Sequence, residues 1–303
     1  MDKVDKDKLN YNLDFLSYFF LKGTGIEIGA LDSPFPLYNV DNCFYVDIDL
    51  PSHLKQIYPE RKKRFYVDIK GDGATLPFIK DESLDFIIAI QFIEHASNPI
   101  GVIINHLNKL KPDGVLLYSV PDKRYTFDKD RPLTTLEHLI LDHEGKQDSI
   151  DEHYLEWIKY VEKIEDKDQI KERLNRLKKV GYPIHFHTFT PELFLEMISY
   201  LGFEKRLPIH SELLLREQDF FVVILRKRPA EIIDSSYIGS KWHIDYHKMK
   251  VLTKEINRAR RHALFLESLV ETHKEHIQNL EKENVLSKSH IATLEFKLSL
   301  TYK

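Results

Sequence analysis

The sequence predicts a doubly wound α/β sheet, and three observations carry that prediction. Short apolar segments recur along the first third of the chain, each too short for a buried helix. Each delivers an acid or an amide at its carboxyl end. The first of them, Gly25-Ile26-Glu27-Ile28-Gly29-Ala30, closes on a glycine turn of the kind that lets a strand swing directly into a crossover. Successive strands with polar carboxyl ends place a ligand crevice along that edge of the sheet.

The elements follow in order. Residues 9–21 are apolar on one face (Leu13, Leu16, Tyr18, Phe20) and form a lead-in helix. Phe44-Tyr45-Val46 is the second strand, ending at Asp47 and Asp49, and a helix follows over 52–59. Phe65-Tyr66-Val67-Asp68 is the third strand, leading to Asp72-Gly73-Ala74. Leu84–Ile90 is the fourth and opens onto Gln91-Phe92-Ile93-Glu94-His95. A helix over 98–110 has Asn98 as its cap and Pro99 at its first position. Gly114–Val120 is the fifth strand, stopped by Pro121.

An insertion then spans about 121–187. Its lysine- and glutamate-rich stretch 151–180 has helical periodicity and reads as a solvated helical cap. His185-Phe186-His187 alternates as a strand does, which would set both imidazoles on one face. Thr190 caps a further helix, and Gly202-Phe203-Glu204 and Phe220–Leu225 supply the last two strands. The first domain thus runs over 1–228, a linker over 229–248 and a coiled coil over 249–303. In the last segment, Ile256, Ala263, Val270, Ile277, Ile291 and Leu298 fall on one heptad position and Leu252, Ala259, Leu266, Leu280 and Leu294 on its partner. Asn284 on that seam favours one parallel register, so a homo-oligomer is expected.

The residues at the strand ends select a ligand. A dinucleotide fingerprint needs three glycines, and here Gly29 is followed by Ala30, Leu31, Asp32 and Ser33. No phosphate-cradling G-x-x-x-x-G-K-[ST] loop occurs. An acidic crevice suits a ligand with an ammonium, a sulfonium and a ribose diol, which describes S-adenosylmethionine. Glu27 beside the Gly29 turn would serve the ammonium side, Asp47 or Asp49 the ribose hydroxyls, and Asp72 with Gly73 the adenine, with Gln91 on the rim.

At these positions the chain resembles class I S-adenosylmethionine-dependent methyltransferases of the type 11-like group. The matching text is Asp72-Gly73-Ala74-Thr75-Leu76-Pro77-Phe78, Asp81-Glu82-Ser83-Leu84-Asp85, Glu94-His95 and Leu110-Lys111-Pro112-Asp113-Gly114. The resemblance implies a Rossmann-like, seven-stranded doubly wound sheet closed by an antiparallel hairpin, with the insertion as a cap. It covers roughly residues 20–225 and departs from the family at the first glycine motif, where only Gly29 is kept. The segment 121–144 with His185-Phe186-His187-Thr188-Phe189-Thr190-Pro191-Glu192 resembles a bacterial subgroup found with cell-surface polysaccharide enzymes. A methyltransferase domain followed by a coiled coil is also similar to O-antigen chain terminators. That resemblance implies a saccharide or related anionic acceptor, with other polysaccharide-synthesis enzymes as partners. The alternative is a non-catalytic scaffold built on a degenerate fold.

Methyl transfer often needs a base. His95, His143 and His187 are the candidates. Asp142 with the neighbouring histidines His138, His143, His185 and His187 could form an oriented base or a metal site, and no metal ligand set is assigned. Arg124 and Arg131 are candidate anchors for an anionic acceptor, because guanidinium matches carboxylate and phosphate geometry. The 303 residues carry a formal net charge of −4, which argues against a general nucleic-acid binder. One cysteine, Cys43, excludes an intramolecular disulfide, and no apolar run is long enough to span a bilayer. With a charged start lacking an apolar signal core, these features predict a cytoplasmic protein.

Overall fold

The computed structural model describes residues 6–61, 63–146 and 150–228. The predicted linker over 229–248 and coiled coil over 249–303 lie outside the described residues. Seven strands form one sheet: β1 Gly23–Ile28, β2 Val40–Asp47, β3 Ile69–Lys70, β4 Leu84–Ile90, β5 Leu110–Pro121, β6 Ile209–Arg216 and β7 Phe220–Lys227. Their spatial order is β3-β2-β1-β4-β5-β7-β6. The first five strands are parallel, and β7 runs antiparallel between β5 and β6. From β1 the chain moves outward to β2 and β3, then returns to place β4 on the other flank of β1. That reversal is the switch point at which such sheets open a crevice.

Both faces of the sheet are buried, so its central strands are apolar on consecutive residues, with alternate side chains going to opposite layers. Ile87 and Ala89 of β4, Leu116 and Tyr118 of β5, and Val223 of β7 join one layer. Phe86 and Ile88, Val115 and Leu117, and Val222 and Ile224 join the other. Helix α1, Lys6–Phe20, covers the second layer through Leu16. Helix α2, Pro51–Ile57, is short and buries Leu54. Helices α3, Pro99–Lys109, and α7, Pro191–Phe203, cover the first layer through Ile100, Ile103, Phe194 and Met197. The side chain of Asn98 accepts the Gly101 amide at 2.8 Å, and Thr190 Oγ1 accepts that of Leu193 at 3.3 Å. Both helices therefore start where their caps predict.

The cap holds two 3₁₀ turns, Lys123–Tyr125 and Phe127–Asp130, then α4 Leu136–His143, α5 Ile150–Tyr160 and α6 Lys167–Val180. The predicted single run 151–180 is two helices: α5 ends at Tyr160, the chain turns through the left-handed Lys163 at φ +57°, and Asp166 then caps α6 through the amides of Asp168 and Gln169. It is also less solvated than its charge suggests. Tyr154, Ile158 and Leu177 pack with Ile184 and Phe186 in a small core of their own.

Three expectations need correction. The third strand is Ile69–Lys70, not Phe65–Asp68; Asp68 instead turns its carboxylate to the Tyr45 amide at 2.9 Å. Gly202 and Phe203 end α7, and the sixth strand begins at Ile209. His185-Phe186-His187 is not a strand, and its two imidazoles reach different partners, described below. Among the described residues, no helix is long and apolar enough to cross a membrane.

The close pairing of β1 with β4 depends on Gly25. A Cβ there would overlap the Phe86 ring and its carbonyl oxygen. Gly25→Ala is expected to lower stability by about 1–3 kcal/mol, read as a fall in the urea midpoint at unchanged slope.

Candidate functional site at the carboxyl edge of the sheet

The carboxyl ends of β1, β2, β3 and β4 converge on one edge, and the candidate residues stand on the loops that leave them. Gly29 follows β1 at φ +69°, and a Cβ built on it would meet no heavy atom within 4 Å. The turn therefore exposes backbone to the crevice. Leu31, at φ +49°, and Gln91, at φ +51° directly after β4, are left-handed non-glycine residues flanking the switch point. Such conformations cost of order 1–3 kcal/mol each and cluster at ligand sites.

Glu27 does not face the crevice openly. Its side chain is buried, and both carboxylate oxygens accept the Phe35 amide at 3.0 Å. It holds the 30–35 loop against β1, and burial pushes its carboxyl up to about 7. The same loop is tied from outside by an ion pair between Asp32 and Arg61. Glu27 thus shapes the turn that would meet the methionine end of a ligand.

At the end of β2, Asp47 is largely buried and accepts the Asp49 amide at 3.3 Å; burial raises its carboxyl above the usual range. Asp49 is the more accessible carboxylate. It accepts from Lys70 Nζ at 3.0 Å and lies 2.6 Å from His53 Nδ1, and these partners hold its carboxyl low. Beyond β3, the exposed Asp72 accepts the Ala74 amide at 2.8 Å and the Thr75 hydroxyl at 2.6 Å, closing the Asp72-Gly73-Ala74 turn. His106, absent from the sequence prediction, supports that turn from below. It is fully buried, its Nε2 donates to the Gly73 carbonyl at 2.8 Å, and its Nδ1 accepts from the Tyr118 hydroxyl at 2.7 Å. Its place on the apolar face of α3 gives no hint of this role.

The cap side differs from expectation. His187 is fully buried, with Nδ1 on the Ala96 carbonyl at 3.0 Å and Nε2 2.7 Å from Asp142 Oδ2. That burial leaves it no access to an acceptor, which corrects its assignment as a base. His95 is mostly buried, donates Nδ1 to the Ile184 carbonyl at 2.9 Å and packs edge-on to His185; burial, then His185, lowers it to about 4. His143, like His95, is partly exposed, and its Nδ1 lies 3.2 Å from Asn98 Oδ1 at the start of α3. Arg131 is also corrected. Its guanidinium is buried and bonds Asp128, Glu156 and the carbonyls of His185 and Phe186, leaving no donor for a substrate. Arg124 remains partly exposed, paired to Asp122 at 2.5 Å and near Glu192 at 3.6 Å.

Among the described residues, two groups of donors have metal-ligand character: His138, Asp142, His153 and His187, and Glu94, His95 and His185. Glu94 is fully buried with neither carboxylate oxygen partnered, and burial pushes it up to about 8. His153, missed in the sequence because it sits in the charged run of α5, is buried and donates Nδ1 to the Phe186 carbonyl at 2.9 Å.

Residues 10–159 match a family model described as a methyltransferase domain. The match runs from α1 through the five parallel strands into α5, and it supports a methyltransferase domain with S-adenosylmethionine as its cofactor. Solved structures with a similar backbone include a putative zinc-dependent alcohol dehydrogenase from Rhodobacter sphaeroides (13% identity, 75% of this chain and 92% of that one, TM-score 0.42). Another is an S-adenosylmethionine-dependent methyltransferase from Thermotoga maritima, a possible histamine N-methyltransferase (17%, 74% and 94%, TM-score 0.38). A third is a putative S-adenosyl-L-methionine-dependent methyltransferase from Methanococcus maripaludis (15%, 75% and 89%, TM-score 0.35). At these scores the likeness assigns no activity. No curated protein matches the chain.

Burial of Glu27 has a consequence for stability. A carboxyl raised from 4.5 to about 7 favours the folded state in its protonated form. Its contribution is full below pH 4.5 and is lost as pH rises through about 7. That loss is on the order of 3 kcal/mol. Without ligand, wild type is expected to lose stability over this interval relative to Glu27→Gln, measured by urea unfolding of both proteins at each pH. Parallel pH curves would contradict it.

Proposed function

We propose that this protein is an S-adenosylmethionine-dependent methyltransferase that methylates an oxygen of a saccharide or related anionic metabolite. The observation that carries the reading is the convergence, at one switch point, of the open Gly29 turn, the carboxylates after β2 and β3, and the left-handed Gln91. A sheet serving only as a scaffold has no need of that set.

The residues at the strand ends suit the cofactor. Gly29 would take the methionine end by its backbone, Asp47 and Asp49 the ribose hydroxyls, and Asp72 with Gly73 the adenine. Glu27 contributes through the loop it fixes. When bound, the cofactor supplies an electrophilic methyl on a sulfonium. The chain's own task is to orient an acceptor and remove its proton. His143 suits that proton transfer. Asn98 Oδ1 accepts the Gly101 amide and so is the oxygen, which makes the His143 Nδ1 beside it a donor and leaves Nε2 a lone pair.

A saccharide acceptor is supported by the surface after β5. Arg124 lies over the Tyr125 ring at 5.7 Å, and Tyr125 and Phe127 are exposed. Exposed aromatic rings beside a guanidinium suit the apolar faces and anionic groups of sugars. The heptad of 249–303 supports a homo-oligomer, and the resemblance of 121–144 and 185–192 supports other polysaccharide-synthesis enzymes as partners in the cytoplasm. A scaffold reading is favoured by the incomplete first glycine motif and by the inward turn of Glu27.

Calorimetry with S-adenosylmethionine and its demethylated product decides between them. Binding is expected, and Asp47→Ala or Asp49→Ala should weaken it by about 1.5–3 kcal/mol, the worth of a hydrogen bond to a charged acceptor. No binding at millimolar ligand would leave only the scaffold.

A further inference from the structure

Two successive helices and a later stretch of the chain bring their side chains to one point. His138 and Asp142 come from α4, His153 from α5, and His187 from the stretch that returns beneath them. Each offers one ligand atom, and all of these lie within 4.8 Å of one another. Asp142 Oδ2 stands 2.7 Å from His187 Nε2, 3.2 Å from His138 Nε2 and 3.6 Å from His153 Nε2. In a tetrahedral site with metal–ligand bonds near 2.05 Å, ligand atoms are separated by about 3.3 Å. The observed spacings bracket that value.

Hydrogen bonding fixes what faces the centre. Carbonyl oxygens only accept, so the rings of His153 and His187 carry hydrogen on Nδ1, toward Phe186 and Ala96 respectively. In the neutral rings Nε2 is then a lone pair, and both lone pairs point at a carboxylate oxygen. Acceptors converge on acceptors in a largely buried place, an arrangement that a cation between them resolves. Carbonyl partners on the outer ring nitrogens are also the usual support of metal-bound histidine.

We infer that His138, Asp142, His153 and His187 form a four-coordinate site for a zinc-type divalent cation, one that pins α4, α5 and the 184–189 stretch together. Three imidazoles and one carboxylate suit zinc better than calcium or magnesium, which prefer oxygen sets. Four protein ligands leave no open position, so the role is structural. Through the bond from His187 to Ala96, the ion would also fix the cap to the turn that follows β4. This inference stands whether or not the chain transfers methyl groups.

The test uses the full chain, stripped with a chelator and titrated with zinc in competition with a chromophoric chelator. One zinc per chain is expected, with a rise in Tm on binding. Loss of an outer partner of a metal-bound histidine typically weakens binding 10–100-fold, so Asp142→Asn or His138→Gln, each removing a ligand, should weaken it at least about 100-fold. Glu94→Gln should leave affinity unchanged. Cobalt(II) on wild type should give the strong visible absorption of four-coordinate nitrogen and oxygen ligation, without a thiolate band from Cys43. No stoichiometric binding, retention in both ligand variants, or loss with Glu94→Gln would overturn the site. If the variants fail to fold, the wild-type cobalt spectrum decides, since a weak six-coordinate spectrum contradicts it.

Discussion

Parallel pairing of β1 with both β2 and β4 is the constraint on which the rest depends. Strands that share a direction share an edge, so every loop leaving a carboxyl end opens on the same side of the sheet. Because β2 and β4 lie on opposite flanks of β1, the loops after them diverge and leave a crevice over the Gly29 turn. The glycines serve this arrangement in different ways. Gly25 lets β1 and β4 approach, while Gly29 turns the chain without covering the crevice.

The cap depends on buried charge. Arg131 ties the first 3₁₀ turns to the 185–186 backbone, and Asp128 accepts from both Arg131 and His185. Removing one partner of such a buried pair typically costs about 3–5 kcal/mol, because the other is left uncompensated. His185 of the clasp meets Glu94 and His95, while His187, two residues on, meets Asp142 with His138 and His153. His187 therefore ties the insertion to the turn after β4, and His143 meets Asn98 at the start of α3.

Local signals made much of the fold legible. Glu27, Asp47 and Gln91 marked the carboxyl ends of β1, β2 and β4, and Asn98-Pro99 and Thr190-Pro191 marked helix starts that the structure keeps. Misreadings arose where a local pattern met a tertiary demand. Gly202 suggested a break before a strand, yet it lies inside α7 where a Cβ would come within 3.3 Å of the Ile209 carbonyl. Phe65 is buried, but its segment runs up to the sheet without joining the ladder, and only Ile69–Lys70 pairs with β2. The alternation in His185-Phe186-His187 was real, but each imidazole answers a different carboxylate.

The placement of the candidate residues was legible at the strand ends and opaque in the cap for the same reason. Glu27, Asp47, Asp49 and Asp72 lie next to the elements that define them. The partners of His187, and those of Arg131 other than Asp128, come from segments tens of residues away, and no periodicity announces such meetings. His106 and His153 lay hidden on helices whose pattern reads as core and as surface respectively. Conversely, adjacency does not give orientation, and the inward turn of Glu27 follows only from its bond to Phe35.

The central claim is that the ligand crevice lies over the Gly29 turn, between the loops after β2 and β4. A crystal structure with the demethylated cofactor product bound tests it most directly. The account predicts the ribose at Asp47 and Asp49 and the adenine beside Asp72 and Gly73. Product bound elsewhere, with the Gly29 turn in contact only with solvent, would contradict it.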